Sequence, residues 1–136
     1  NSTDDTLVAI AKKSIKEVSY HERFSTDWII RLGDGSDESH ERIQNAINNL
    51  WTYTDELFHT TSSDKAMVEQ GVGVDVTKLK ETYYAKVNSV LEKSTIEIPE
   101  SKWFQKGGKN GIHTEHLGYL LADMQYMQRT YPGMEW

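Results

Sequence analysis

Cysteine is absent from the 136 residues of this chain. Disulfide bonds, thiolate nucleophiles and cysteine-ligated metal sites are therefore excluded. Long hydrophobic runs are missing as well, since no apolar stretch approaches the ~20 residues that a transmembrane helix needs. No signal peptide is visible. We expect a cytoplasmic protein that does not enter the membrane.

The chain also lacks clusters of positively charged residues. The chain carries 15 Lys and Arg against 21 Asp and Glu, a net charge of -6, and the charges are interspersed. Phosphate binding needs grouped basic residues, so a nucleic-acid partner is not expected. With 37% hydrophobic residues, either much of the surface is solvated helix or part of the core comes from outside this chain. The start at Asn1 suggests a piece of a longer polypeptide.

Proline is sparse, and the two prolines and nine glycines divide the chain into helical segments. Apolar residues recur at helical spacing over about 3–32, 37–58, 77–93 and 114–130, and a short helix is predicted over 64–70. Thr3 or Asp4 is expected to cap the first helix, and Gly33-Asp34-Gly35 to stop it in left-handed backbone. Thr95–Pro99 alternates as a short extended segment. The prediction is all-α, with two long antiparallel helices and a helical extension.

The first helix carries residues that can be compared with a metal-ligand motif: Glu17, Tyr20 and His21. Di-iron bundles use Glu-x-x-His, which directs both ligands from one helix face into the core. Here the Glu17–His21 spacing is four, and Tyr20 stands where the imidazole belongs. We interpret these three as degenerate metal-ligand positions, with a Glu17–His21 hydrogen bond or ion pair as the expected role.

Glu56 and His59 do fit Glu-x-x-His, but at the fraying end of the second predicted helix. A di-iron site needs a second such motif and two further carboxylates, which the other helices do not supply. The alternative hypothesis is an iron- or manganese-dependent oxidase with Glu17, His21, Glu56 and His59 as ligands. The main expectation is no metal, no cofactor and no catalytic residue.

The densest polar cluster lies at the start of the last predicted helix. Thr114 is expected to cap that helix and Glu115 to favour its positive end. We predict an interface or architectural role for this stretch rather than a zinc site, because no third ligand is evident. It comprises His113, Thr114, Glu115, His116, Leu117, Gly118 and Tyr119.

The preceding loop, Gly107–Gly111, has the composition of an anion loop, because glycines free backbone N–H groups near a helix start. It lacks the Walker A pattern. A flexible or interface-ordered loop is the simpler interpretation. A phosphate- or coenzyme-A-binding module built on Lys106 and Lys109 is a third hypothesis for the chain.

Aromatic residues are numerous, with 4 Trp and 7 Tyr. Some belong in a core. Those near loops and the terminus are expected to anchor a protein interface, where Trp and Tyr are enriched. They are Trp103, Phe104, Tyr131 and Trp136.

Several stretches, spread along the whole chain, resemble one family. They are 11–24 (AKKSIKEVSYHERF), 31–35 (RLGDG), 44–51 (QNAINNLW) and 107–118 (GGKNGIHTEHLG), and the likeness continues through Met124-Gln125-Tyr126, Gln128-Arg129 and Pro132-Gly133 to Trp136. The chain resembles the PaaC family, the structural subunits of bacterial ring 1,2-phenylacetyl-CoA epoxidase.

The resemblance implies a ferritin-like helical subunit that has lost its iron. It implies a catalytic di-iron partner subunit, in a homo- or hetero-oligomer that epoxidises phenylacetyl-CoA during aerobic phenylacetate breakdown. The family proteins are longer, so the chain is expected to be the C-terminal part of a single ferritin-like domain. Residues 1–59 would form a helical hairpin, and 60–136 an extension with two further helices.

Overall fold

The computed structural model describes residues 2–100 and 103–135, so Trp136, expected above to anchor an interface, lies outside the described residues. The chain divides into two compact units, Asn1–Gln105 and Lys106–Trp136. Helices account for all the regular structure, with no strand in either described range. The all-α prediction is confirmed. The helices are α1 (Asp5–Gly33), α2 (Asp37–Leu50), α3 (Ser62–Glu69), α4 (Lys80–Lys93), α5 (His116–Met124) and α6 (Tyr126–Thr130).

Helix α1 begins where the sequence indicates. The Asp4 side chain accepts a hydrogen bond of 2.9 Å from Leu7 N, which satisfies one of the free donors of the first turn. Thr3 does not cap the helix. Its N–H instead donates to Gly71 O at 2.9 Å, and its hydroxyl donates to Gln70 O at 3.2 Å. The start of the chain is thereby tied to the end of α3.

The end of α1 corrects the expected role of its glycines. The helix continues through Gly33, and Asp34 ends it with a φ of -91°; neither Gly33 nor Gly35 has a positive φ. Gly33 is needed for close packing instead, because an added Cβ would lie 2.2 Å from Ser94 O. Glycine here permits a backbone contact between α1 and the end of α4.

The Gly33 carbonyl joins three segments of the first unit. It accepts from His40 Nδ1 at 2.7 Å and from the Thr95 hydroxyl at 3.3 Å. His40 lies on α2, which follows α1 after a short link and is capped by Ser36. These bonds fix α2 and the segment after α4 against the same end of α1.

Helix α2 is shorter than its apolar pattern predicts. It ends at Leu50, and 3₁₀ turns follow at Trp51–Tyr53 and Asp55–Phe58, where a continuous helix was expected. The tighter turn changes which side chain faces inward: Trp51 is buried, whereas Leu50 is 64% exposed. The Thr54 hydroxyl stabilises the turn by donating to Trp51 O at 2.8 Å.

A 3₁₀ turn, Val76–Leu79, leads into α4, and α4 ends in a Schellman motif. Thr95 N donates to Glu92 O, and Ile96 N donates to Leu91 O at 3.0 Å. Thr95 has a φ of +57°, a left-handed conformation that is costly for a β-branched residue. The extended segment predicted over Thr95–Pro99 therefore starts only after Thr95.

No strand forms there, but the segment is still held by its backbone. The Gln44 amide donates to Glu97 O at 3.0 Å and accepts from Glu97 N at 2.9 Å. One side chain from α2 thus takes the place of a neighbouring strand. This pairing keeps Ile96 in the core, where it is 4% exposed.

Helix α3 begins at Ser62 rather than at Asp64. Thr61 and Asp64 form a capping box, in which Asp64 N donates to the Thr61 hydroxyl oxygen at 3.2 Å and Thr61 N donates to Asp64 Oδ2 at 2.8 Å. Ser62 and Ser63, which precede the predicted start, therefore already belong to the first turn of the helix.

The buried core of the first unit is small. It consists of Trp51, Leu91 and Ile96, which are 8%, 3% and 4% exposed. Partly buried hydrophobic residues from α1, α2, α4 and the segment after α4 pack around it: Ile29, Ile43, Ile47, Tyr84, Val87 and Phe104. Most apolar residues of α1 stay at the surface of this chain.

The second unit starts with a glycine loop around a 3₁₀ turn, Gly108–Asn110, and continues into α5 and α6. The single helix predicted over 114–130 is in fact two, separated at Gln125. Helix α6 ends at Thr130, and Gly133, three residues later, has a φ of +82°.

Candidate protein-interaction surfaces

An aromatic stripe runs along the outer side of α1. Tyr20, Phe24 and Trp28 follow one another at four-residue spacing, which places them on one helix face. Tyr20 stacks on Phe24 with ring centroids 6.0 Å apart, and Phe24 meets Trp28 edge to face at 6.2 Å. The three side chains are 51%, 51% and 45% exposed. We call these three residues the α1 stripe.

Two guanidinium groups lie over the α1 stripe. Arg23 sits 5.8 Å from the ring centre of Tyr20, and Arg31 sits 5.8 Å from that of Trp28. A cation over an aromatic face is attracted by the ring quadrupole. The α1 stripe is therefore apolar at its centre and carries positive charge.

The three positions interpreted as degenerate metal ligands, Glu17, Tyr20 and His21, lie on this same helix face. Tyr20 is part of the α1 stripe, and the His21 ring meets Tyr20 edge-on at 6.0 Å. Glu17 precedes them by one helical turn and is exposed, as is His21. The aromatic contact of His21 is with Tyr20.

Glu56 lies in a 3₁₀ turn and not on a helix, and His59 follows that turn, its N–H donating to Glu56 O at 3.0 Å. Across the residues that the structure describes, no three His, Asp or Glu side chains converge as a metal site would require. Glu17, His21, Glu56 and His59 are thus not assembled into the ligand set of the oxidase alternative.

A groove of about 440 Å³ separates α1 from α4 on the other side of α1. Its walls are almost entirely apolar, with Ile29, Tyr83 and Leu91 among the lining side chains. Burial raises the pKa of the Tyr83 phenol, and the neighbouring Tyr84 adds to this effect. A salt bridge of 2.7 Å between Lys86 and Glu22 links the two helices beside the groove.

The polar cluster predicted at the start of the last helix spans the entry into α5. His116 is the first residue of α5, Glu115 precedes it, and no side chain caps the helix, so the capping role expected of Thr114 is wrong. Backbone bonds replace it, with Leu117 N donating to Thr114 O at 3.2 Å. Tyr119 is 71% exposed, whereas Leu117 is partly buried.

Beyond that entry, α5 and α6 leave most of their apolar side chains uncovered. Leu120 is 55% exposed and Met124 is 67% exposed, although both belong to the apolar face predicted for this segment. The other large exposed residues of the second unit are Ile112, Tyr119, Leu121, Tyr126, Met127, Tyr131 and Met134. So much uncovered apolar surface is typical of a protein-binding segment.

The aromatic anchors predicted near the loops differ in their positions. Trp103 is 64% exposed and Tyr131 is 49% exposed, as an anchor for another protein would be. Phe104 instead packs against the core of the first unit, which corrects the prediction for that residue. Its position is fixed by Gln105 N, which donates to Thr52 O at 2.8 Å.

A backbone hydrogen bond closes the glycine loop. Gly107 and Gly111 have left-handed φ values of 102° and 86°, and Ile112 N donates to Gly107 O at 2.9 Å. An added Cβ on Gly107 would lie 3.0 Å from the Ile112 side chain. The turn geometry accounts for these two glycines. The coenzyme-A hypothesis for Lys106 and Lys109 stays a prediction.

Comparison with known proteins gives a match over the entire chain. Residues 1–136 match the PaaA/PaaC family, described as phenylacetic acid catabolic protein. The chain belongs to this family. It is also 46% identical over 135 residues to a 1,2-phenylacetyl-CoA epoxidase subunit, the one designated C, from Escherichia coli (strain K12). That alignment covers 99% of this chain and 54% of the relative, so the chain spans about half the length of the curated relative it matches.

Membership of the PaaA/PaaC family confirms the resemblance inferred from the sequence, and with it the ferritin-like helical class. In residues 2–100 and 103–135, none of the helices is long and apolar enough to cross a membrane.

Sequence reasoning missed two features of these surfaces: the guanidinium groups over the α1 stripe and the Lys86–Glu22 bridge. For the first there was a local signal, because Arg23 and Arg31 each lie three residues from an aromatic residue on a predicted helix.

Proposed function

We propose that this chain is part of a non-catalytic structural subunit of a multicomponent 1,2-phenylacetyl-CoA epoxidase, acting in the cytoplasm in aerobic phenylacetate breakdown. Its role is to bind the catalytic di-iron subunit and hold that subunit's helices in place. The observation that carries this proposal is the 46% identity to the E. coli epoxidase subunit over 99% of the chain. Such an extended match favours a shared role in a shared assembly.

We further propose that the chain forms the C-terminal part of a ferritin-like domain, with a helical hairpin over residues 1–59 and an extension over 60–136. A four-helix bundle buries the apolar faces of four long helices around one core. Of the helices described here, only α1, at 29 residues, has the length typical of such a bundle. Most of its large apolar residues remain about half exposed, which agrees with a bundle that is not complete within this chain.

The interface with the catalytic subunit is proposed to lie on the second unit, from His113 to Tyr119 and on through α5 and α6. Removal of apolar surface from water contributes about 25 cal/mol for each Å² to an interface, and the cost of ordering the two partners is subtracted from this. Leu120 and Met124 lie one helical turn apart on α5 and are both exposed. They are suited to insert into an apolar partner surface.

Replacing Leu120 with glutamate is expected to abolish co-purification with the catalytic subunit. A carboxylate placed in an apolar interface must be desolvated without a partner, which costs several kcal/mol, about a hundredfold or more in affinity. The measurement is the amount of catalytic subunit retained when the tagged protein is purified from cells that express both.

Leu50→Glu is the matched control. It makes the same change at a leucine that is 64% exposed at the end of α2, outside the proposed interface. We expect this variant to retain the catalytic subunit as the unmodified chain does. Equal retention by Leu120→Glu would contradict the proposed interface, and failure of the unmodified chain to retain the subunit would contradict the proposed function.

A further inference from the structure

The pair Asn110-Gly111 lies in the glycine loop and is open to solvent. Both residues are exposed, and an added Cβ on Gly111 would meet nothing within 4 Å. Because glycine has no side chain, nothing of its own shields its backbone nitrogen. The Gly111 nitrogen is therefore accessible to the Asn110 side-chain carbonyl carbon, Cγ, with which it can close a five-membered ring.

We propose that Asn110 is a site of spontaneous covalent modification, at which its side chain cyclises onto the Gly111 nitrogen and the 3₁₀ turn Gly108–Asn110 controls the rate. A bond forms between Gly111 N and Asn110 Cγ, and the bond from Cγ to Nδ2 breaks. The amide proton of Gly111 passes to a solvent base, and Nδ2 leaves as ammonia. Water then opens the cyclic imide. Attack at Cγ gives aspartate, and attack at the backbone carbonyl carbon gives isoaspartate.

Two features of the turn hold the reacting atoms back. The Gly111 N–H donates to Gly108 O at 3.1 Å, and this hydrogen bond must break before the nitrogen can lose its proton. The ring also closes only when Gly111 N eclipses Asn110 Cβ about the Cα–C bond, and the helical ψ of a 3₁₀ turn does not allow this arrangement. The modification therefore proceeds from a state in which the turn has opened.

Opening of this turn is a local event. The turn is three residues long, and 3₁₀ hydrogen bonds have poorer geometry than those of an α-helix. An exposed segment of this kind opens at a small fraction of the free energy of global unfolding. Asn110 is therefore expected to react in the folded protein, but more slowly than in an unfolded chain.

The other asparagines of the described ranges lie on α-helices: Asn45, Asn48 and Asn49 on α2, and Asn88 on α4. Asn88 is exposed and is followed by a small residue, Ser89. Its helix is anchored by Leu91, which is 3% exposed in the core of the first unit. The Ser89 nitrogen is released only when this part of α4 unfolds. Asn88 is therefore an internal control with the same reactive side chain.

Isoaspartate changes the loop more than aspartate does. It routes the main chain through the side-chain carbons, which adds one carbon atom to the backbone between positions 110 and 111. The hydrogen bond from Ile112 N to Gly107 O, 2.9 Å long, spans this altered linkage. An inserted atom displaces the Ile112 N–H from its acceptor, so we expect the loop to lose this closure. Aspartate adds a charge and leaves the backbone unaltered.

The test uses the complete subunit that contains this chain, incubated at mildly alkaline pH. Peptide mapping by mass spectrometry measures amide loss at each asparagine, and an isoaspartyl methyltransferase labels the isoaspartate. We expect conversion at Asn110, with isoaspartate among the products, and a rate at Asn88 that is about tenfold or more lower. In urea, Asn110 should react about tenfold or more faster than in native buffer, because the turn no longer holds the Gly111 N–H.

Two variants separate the ring closure from its effects. Asn110→Gln, whose longer side chain would need a six-membered ring, should stop the conversion. Asn110→Asp supplies the same charge on an unaltered backbone, and it should keep the Ile112 amide protected from hydrogen exchange. The isoaspartate-containing protein should lose that protection.

No amide loss at Asn110 in the folded subunit, or equal rates at Asn110 and Asn88, would overturn the assignment. Aspartate formed without isoaspartate would contradict the cyclisation, and equal rates in urea and in native buffer would contradict control by the turn. All these measurements are made on the subunit alone. They therefore decide this inference separately from the proposed binding of the catalytic subunit.

Discussion

Replacing Gly33 with alanine is expected to lower the free energy of unfolding of the first unit by about 3 kcal/mol, as overpacking of a tight contact does. The new Cβ would lie 2.2 Å from Ser94 O and 2.8 Å from Ser94 Cβ, and Ser94 is fully buried. A backbone carbonyl cannot move aside alone. The change would also displace the Gly33 carbonyl, which holds His40 and Thr95.

Gly118→Ala is the control for this substitution. Gly118 also lies in a helix, but an added Cβ there meets nothing within 4 Å. Alanine is a better helix former than glycine by about 1 kcal/mol, so α5 should gain helicity. Urea unfolding followed by circular dichroism compares the two variants. A Gly33→Ala chain with an unchanged unfolding midpoint would contradict the close packing of α1 against the end of α4.

Replacing Leu91 with alanine is expected to cost about 3 kcal/mol of stability, within the range found for buried leucines. Leu91 is 3% exposed and makes two contributions. Its side chain packs with Trp51 and Ile96, and its carbonyl accepts from Ile96 N in the motif that ends α4. Because the core is so small, the atoms that Leu91→Ala removes are a large share of its buried apolar surface, and they leave a cavity.

Leu50→Ala removes the same atoms from a side chain that is 64% exposed. We expect it to change the free energy of unfolding by less than about 0.5 kcal/mol, as is usual for surface substitutions. The comparison also tests the end of α2. If Leu50→Ala proved the more damaging of the two, α2 would continue as an α-helix past Leu50, and Leu50 rather than Trp51 would face the core.

The helices were predictable because apolar spacing and capping residues act locally. Asp4 caps α1, and the predicted bounds of α1 and α4 differ from the observed ones by a few residues. The end of α2 was not predictable, because the change to 3₁₀ turns follows from the burial of Trp51 against distant residues. The left-handed Thr95 was also missed, since glycine is the usual residue at that position and no glycine is present.

The candidate surfaces were predictable in part. The spacing of Glu17, Tyr20 and His21 was enough to place them on one helix face and to show that the ligand motif was broken. The apolar residues of α1 and of the last helices were identified, but their exposure within this chain was not. Periodicity shows that a helix has an apolar face, whereas the element that covers that face depends on residues far along the chain or outside it.

A division of roles follows from the two sides of α1 and from the second unit. The groove side of α1 packs near α4 and is bridged by Lys86 and Glu22. Helix α1 is proposed to belong to a larger ferritin-like bundle, and α5 and α6 are proposed to bind the catalytic subunit. Each role depends on burial of apolar surface, and none requires Glu17 or His21 to bind a metal.

The most direct test of a non-catalytic role is the iron content and turnover of the reconstituted epoxidase carrying Glu17→Gln and His21→Gln together. Glutamine keeps the length of glutamate and remains polar at both positions, so the substitutions should preserve the fold. The account predicts unchanged iron per catalytic subunit and unchanged rates of epoxide formation. Loss of bound iron together with loss of turnover, in a complex that still assembles, would contradict it.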